Sequence, residues 1–564
     1  MKYIKYLIIG FCLALVSSCS LQEESFTEVG KDKYLNTIAE AESVLKGVYR
    51  DLAMGSMYGY YFSLYFTLPS DEAKVEGSST NNFRDVPSNS YTSAHAAIEE
   101  GWQGMYKTIY DANSFIEALA AKAPAYSESS RNTAAVLMGE ARTLRAMCYF
   151  ELVRWFGNII LITDTDQSYL LPTEFEQSSA EEVYKFIEKE LKYAISVLPY
   201  ADEDSYRSNN SFRISKGAAL GLLAKVYATW AGAPVNDTSK WEDCVKTCKT
   251  LVESGHHDLL PDFADLWRNV GSNTWDATES LIEVSFYSPS ITGDSSVDAS
   301  GRIGKWNGVT AEDKSISSGR NAANWKVLPT FARDWPNRDK DKRFELSVAD
   351  YKYTVKDGKT LVGSYKVDGK TTPVSFTDAA NLDNAEARKQ FNNGLCPAKW
   401  DTELYVPADI ALVHTDFSNV NWYILRYADV LLLYAEALNE WNGAPTADAY
   451  GALNKVRRRG YGLAAGDASA DVSNLTFDEF RQAVRTERKY ELAFEGHRRQ
   501  DLTRWGIYVE TVANTYRDLS SWHEDAPDSY KAGEFTTERN VLLPIPLREY
   551  DLMDPAKVKQ NPGW

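Results

Sequence analysis

Apolar residues recur at helical spacing along most of this chain. Between Thr37 and Leu52 they fall at Ile38, Ala41, Val44, Leu45, Val48 and Leu52, a single stripe. Thr37 stands where an N-cap belongs. The same pattern predicts helices near 98–122, 131–156, 179–198, 214–231 and 239–254, with Pro124, Pro172, Pro199 and Pro234 in the connections. It returns at 423–441, 446–459 and 477–495. Ala218, Ala219, Gly221, Ala224 and Ala228 put small residues where a neighbouring helix must come close. Tetratricopeptide-type pairs pack in this way, although no strict repeat period is visible.

Two stretches break the pattern. From Gly55 to Ser93 aromatics mix with Gly, Ser and Asn, which reads as loop. From Gly271 to Asn421 the texture is Gly, Ser, Asn and Asp with scattered Trp and Tyr. Within it Tyr351–Val374 alternates around Asp357-Gly358 and Asp368-Gly369, predicting short hairpins. The closing segment to Trp564 reads mostly as loop. The expected fold is therefore mainly α: a scaffold of about four tetratricopeptide-like helix pairs, interrupted by a long loop-rich insertion with short hairpins. Its divisions are a signal at 1–18, a tether at 19–36, helical repeats at 37–270, the insertion at 271–422, and further repeats with a closing segment at 423–564.

The first residues are not structural. Lys2 and Lys5 precede an apolar run from Tyr6 to Val16, and Val16-Ser17-Ser18-Cys19 offers small residues for a peptidase. The run is too short to cross a bilayer, which takes roughly 20 residues. It resembles a bacterial lipoprotein signal, which implies acylation of Cys19 and an anchored mature protein. The alternative is an ordinary secretory signal cut near Ser18.

Composition narrows the partners. The 564 residues carry a formal net charge of −18, which argues against nucleic acid. Aromatics make up 13% of the chain, with 15 Trp, 34 Tyr and 22 Phe. That excess suits a sugar binder, where flat rings cover the apolar faces of pyranoses. Beyond Cys12 and Cys19 only Cys148, Cys244, Cys248 and Cys396 remain, too few for a disulfide framework. Cys244 and Cys248 share a helix face but lack further metal ligands nearby, so packing is the expected role. Asn337, Asp339 and Asp341 begin like a calcium loop, yet Lys342 and Val348 stand where glycine and glutamate are needed. No Gly-x-Ser-x-Gly, His-Glu-x-x-His or phosphate-binding loop occurs. Neither metal nor cofactor is expected.

Four segments carry a family resemblance. They are Glu140–Gly157; Arg426–Ala437 with Leu453–Arg457; Arg485–Gly506; and Leu543-Pro544-Ile545-Pro546 with the final Asn561-Pro562-Gly563-Trp564. Physically, Arg485, Glu487, Arg488, Glu491 and Glu495 read as ion pairs along a helix. Together the segments resemble the SusD/RagB family of outer-membrane glycan-binding lipoproteins. The resemblance implies a tetratricopeptide-like core whose loops hold the ligand, no catalysis, and a role as lid on a TonB-dependent, SusC-like transporter. Glu23-Glu24 after Cys19 resembles the export signal that places such lipoproteins on the outer face.

In that family the aromatic platforms come from the loop after the first helices and from the insertion. Here the implied candidates are Asn82, Phe83, Asp85 and Tyr91, then Trp275, Tyr287, Trp306, Asn307, Arg320, Asn324 and Trp325. Trp306 with Trp325 forms the expected platform pair, since both lie in polar, Asn-rich context. Two other readings stay open: a surface glycoside hydrolase working through two carboxylates, and a helical-repeat interaction module without a glycan site.

Overall fold

The computed structural model describes residues 34–77, 83–203, 212–287, 301–312, 320–378 and 382–564. The signal, Cys19 and Asn82 lie outside them. Among the described residues the helices of ten residues or more are α1 (Ile38–Leu52), α2 (Ala96–Lys122), α3 (Glu128–Phe156), α4 (Ala180–Val197), α5 (Lys216–Ala231) and α6 (Lys240–Ser254). They continue with α7 (Phe263–Ser272), α8 (Ala385–Gly394), α9 (Tyr427–Asn442), α10 (Ala447–Gly460), α11 (Phe477–Glu491) and α12 (Tyr508–Trp522). Side-chain caps start several of them. Thr37 accepts from the Glu40 amide ahead of α1, and Ser179 with Glu182 and Thr476 with Glu479 form capping boxes before α4 and α11.

The helices pack as a continuous row. Each of α1 to α5 lies on the next, α6 lies on α5, and the row resumes across the insertion where α6 meets α9, which packs on α10 and α11. Small residues let it close. A Cβ on Gly221 of α5 would come within 2.9 Å of Leu281 and Leu425 side-chain carbons. This paired, mainly α architecture is the one the hydrophobic stripes predict.

The insertion is built from two-stranded pieces. Its strands of three residues or more, with their partners, are β1 (Ala73–Val75), β2 (Ser280–Val284), β3 (Trp325–Val327), β4 (Tyr351–Thr354), β5 (Gly358–Leu361), β6 (Gly363–Val367), β7 (Lys370–Val374) and β8 (Trp422–Arg426). β4 pairs with β5 and β6 with β7, the two hairpins expected at the Asp-Gly dipeptides. Asp368 and Gly369 both take positive φ, 48° and 76°, as a type I′ turn requires. The other pairings are long-range: β1 with β3 through Val75 and Trp325, and β2 with β8 through Glu283 and Tyr423.

Three boundaries differ from the sequence reading. Tyr423 begins no helix: it lies in β8, and α9 starts at Tyr427. The helix expected to run to Glu495 ends at Glu491, because Phe494 and Gly496 adopt positive φ, and a short helix follows at Arg498–Arg504. The closing segment is not mostly loop at its start, since α12 occupies Tyr508–Trp522.

Arg485, Glu487, Arg488, Glu491 and Glu495 do not pair with one another along the helix, although Arg481 and Asp478 of α11 do, at 2.9 Å. Arg426, fully buried, donates to Glu279 at 2.8 Å, to Glu491 at 2.7 Å and to Glu495 at 2.7 Å. Glu491 also accepts from Arg343 at 2.9 Å and Arg459 at 2.5 Å, and Lys399 donates to Glu495 at 2.8 Å. A second buried chain links Arg488 to Asp429 at 2.7 Å and to Asp501 at 2.9 Å, and Arg504 to Glu436 at 2.7 Å. Because Arg343 and Lys399 belong to the insertion, these contacts clamp it to the helical scaffold. Trp400 of the insertion adds a stacked contact with Trp422 of β8, ring centres 4.9 Å apart. The loops thus rest on a rigid base.

The remaining sequence features are structural. Cys148, Cys244, Cys248 and Cys396 are buried free thiols, and Cys244 donates to the Ala224 carbonyl. Asp341, in the calcium-like segment, accepts from Arg343 and from the Trp335 indole. No group of metal-binding residues occurs among the described residues.

Candidate functional site

Four chain segments enclose a cavity of about 570 Å³ lined by Tyr60, Tyr61, Tyr65, Phe83, Thr92, Ala94, His95, Ala96, Ala97, Arg302 and Trp306. Each segment is held for a local reason. After α1 the chain makes a π-helical turn at Tyr61–Tyr65, in which the Phe66 amide donates to the Tyr61 carbonyl. The wider turn sends Phe62, Leu64 and Phe66 into the core and leaves Tyr60, Tyr61 and Tyr65 along the cavity. Phe62 meets Phe66 edge-on, and Phe66 lies against Trp155 of α3. The opposite wall is the start of α2, where His95 caps the helix by accepting from the Ala97 amide at 3.2 Å.

The third wall is the turn holding Arg302 and Trp306. Arg302 donates its amide to the Gly59 carbonyl at 3.0 Å, and the Trp306 amide donates to the Arg302 carbonyl at 3.1 Å. Asn307 closes the turn by accepting from the Gly304 amide at 2.7 Å. Glycine is required there: a Cβ on Gly308 would lie 2.2 Å from the Gly304 carbonyl oxygen and 2.3 Å from that of Trp400. Phe83 completes the enclosure, edge-on to Trp306 at 5.9 Å.

The rings form a connected surface. Tyr60 lies 5.3 Å from Tyr61, 5.3 Å from Tyr65 and 5.0 Å from Trp306, centre to centre and tilted in each case. Tyr61 donates to Glu100 at 2.7 Å. Burial pushes the hydroxyls of Tyr60, Tyr61 and Tyr65 well above the usual phenol range. All three remain neutral at physiological pH, able both to donate and to accept. The buried Nε1 of Trp306 has no acceptor among the described residues. A half-buried concave surface of rings with hydroxyl, imidazole and guanidinium groups at its edges is what a sugar chain needs. Among the described residues that line it there is no carboxylate.

The comparisons with known proteins bear on the family and the fold. The sequence pattern of the SusD family matches residues 300–564, and a pattern described as starch-binding associating with outer membrane matches residues 25–228. A solved SusD homologue from Bacteroides thetaiotaomicron VPI-5482 is 48% identical, covering 96% of this chain and 100% of its own, with a TM-score of 0.89. This chain belongs to the SusD family. A curated relative, SusD-like protein P25 of Formosa agariphila, is 25% identical over 97% of both chains. The fold also matches surface glycan-binding protein A from Bacteroides fluxus, 22% identical over 93% of this chain and 99% of that one, at a TM-score of 0.68. SusD-family proteins are lipid-anchored surface proteins of the outer membrane that bind glycans, perform no catalysis and pair with SusC-type transporters.

The SusD-family site inferred from sequence is only partly assembled at this cavity. Trp306 and Phe83 line it. Asp85 is not among the lining residues and lies 4.0 Å from His95, which is. Trp325 does not serve as a second platform beside Trp306. It is 4% exposed on β3, and what joins the two is its amide, which donates to the Trp306 carbonyl at 2.9 Å. Tyr91 is buried and stacked on Trp564, ring centres 5.0 Å apart. Asn307 is buried in its turn, and Asn324 holds β1 by accepting the Glu76 amide on its carbonyl. Trp275 packs edge-on to Phe212 at 4.5 Å, while Tyr287 and Arg320 are exposed away from the cavity lining.

Sequence reasoning missed Tyr60, Tyr61, Tyr65, His95 and Arg302. The available signal was the density of aromatics between Met57 and Phe66, in a stretch with no helical stripe to bury them all.

Proposed function

We propose that this SusD-family protein captures a glycan chain in the Tyr60–Trp306 cavity at the cell surface and delivers it, as a lid, to an outer-membrane TonB-dependent transporter of the SusC type. The observation that carries the reading is the cavity itself: five aromatic rings converge there on a scaffold fixed by buried ion pairs. Each platform covering about 100 Å² of sugar contributes at most roughly 2.5 kcal/mol. Two or three platforms, after the cost of immobilising the ligand, give affinities of about micromolar to millimolar. Such binding captures the chain and still releases it to a transporter. Retardation of the purified protein on polysaccharide gels tests capture, and co-purification with a SusC-type transporter from its native membrane tests delivery.

Anchoring belongs to the same proposal. Cys19 carries the lipid, and the chain from there to Tyr34 tethers the body to the membrane while it moves over its transporter. Cys19→Ala is expected to leave glycan binding by the purified protein unchanged and to release it from the cell surface. Continued surface labelling of cells carrying the variant would show that another element anchors it.

A further inference from the structure

Among the described residues that line the cavity, Arg302 is the single permanently charged side chain and no Asp or Glu is present. The surrounding protein is strongly acidic, with a net charge of −18. The guanidinium of Arg302 stacks at 4.4 Å from the centre of Tyr60 and 5.0 Å from that of Trp306, with Phe417 at 5.5 Å. Stacking occupies its faces and leaves the N–H edges free. No described residue accepts a hydrogen bond from that guanidinium or forms an ion pair with it. Arg426 and Arg488, by contrast, are saturated by carboxylates.

Two described carboxylates next to the lining residues have partners of their own. Glu100 accepts the Tyr61 hydroxyl, and Asp85 faces His95. The opposite wall, at His95, Ala96 and Ala97, is the amino end of the 27-residue helix α2, whose dipole is offset by Glu99 in its first turn. The charge that bears on the aromatic pocket is therefore the unpaired guanidinium of Arg302.

Resting on the glycan-capture reading above, we propose that this site selects acidic glycans, with Arg302 gripping a carboxylate or sulfate oxygen of a sugar whose ring lies across Tyr60 and Trp306. A planar guanidinium donates two parallel hydrogen bonds to either group, and both partners are charged. A neutral sugar would leave the positive charge uncompensated in a half-buried place.

The test uses matched glycans. Polygalacturonate and its carboxyl-reduced form, alginate and its carboxyl-reduced form, and chondroitin sulfate and its desulfated form are cast in native gels beside neutral glucans, mannans and galactans. The protein, Arg302→Gln and Arg302→Lys are run on each, and affinities for retained glycans are measured by calorimetry. We expect retention by at least one acidic glycan and a loss of about tenfold or more when its charge is removed. Arg302→Gln should lose about tenfold more on the acidic form than on the neutralised one, with Arg302→Lys between. Affinity of the unaltered protein should fall as salt rises from about 50 mM to about 500 mM. Equal or stronger retention by neutral glycans, weakened alike by Trp306→Ala, would overturn the charge selection and leave glycan capture standing. Retention by no glycan would overturn the capture reading itself. Unchanged thermal unfolding of the variants shows that any loss is local.

Discussion

A Glu491→Ala protein is expected to lose about 3–5 kcal/mol of stability, the usual consequence of removing one partner from a buried charge cluster. Glu491 accepts from Arg343, Arg426 and Arg459, all of them buried. Removing it strands three guanidiniums away from water, where each has lost a charge-assisted bond. Those arginines join the insertion, β8 and α10, so the defect separates the loops from the scaffold. Chemical denaturation checks the size of the loss. A stability change below about 1 kcal/mol would show that the cluster relaxes onto Glu279, Glu487 and Glu495 at little cost.

The same clusters set an acid limit. The guanidiniums around Glu491 hold its carboxyl below the usual range, and Arg488 and Arg504 hold Asp501 down to about 2. In the unfolded chain these groups protonate near pH 4. Their contribution is therefore complete above about pH 4, and is lost progressively as pH falls toward 2. Unfolding free energy should fall across that window, and flatten in Glu491→Ala.

Trp306→Ala is expected to remove most glycan binding, by about tenfold to a hundredfold, while leaving the thermal midpoint almost unchanged. The indole is half-buried at the cavity, touches Tyr60 and Phe83, and carries an unpartnered Nε1. Deleting it removes a platform worth roughly 2 kcal/mol of apolar contact and the support on which Tyr60 and Arg302 rest. Trp325→Ala gives the contrast. That ring belongs to the core, so its loss should lower stability by about 3–5 kcal/mol and affect binding only through unfolding. Titration of each variant with a retained glycan, beside its melting curve, separates the two tryptophans.

This contrast also shows what the sequence could and could not reveal. Trp306 and Trp325 sit in similar Asn-rich surroundings, and local composition treats them alike. What separates them is the pairing of Trp325 with Val75 across 250 residues of sequence, which no local pattern announces. Helices were legible because a stripe such as Ile38–Leu52 is written within one segment. The β2–β8 pair was not, since Glu283 and Tyr423 meet only through the folded chain. Spacing misled at Arg488, Glu491 and Glu495: i, i+3 and i+4 intervals look the same whether charges pair along a helix surface or reach across a core. Tyr60, Tyr61 and Tyr65 escaped for a further reason. A π-helical turn shifts the phase of the chain, and a search for periods of 2 or 3.6 passes over it.

In the proposed function the aromatic cavity holds a glycan without altering it. The most direct measurement incubates the purified protein with a glycan that retards it in a gel and assays the same mixture for new reducing ends. Retention that Trp306→Ala removes is expected, with no reducing ends above the glycan alone. Release of reducing ends that a single carboxylate substitution abolishes, with retention indifferent to Trp306, would contradict the proposed function.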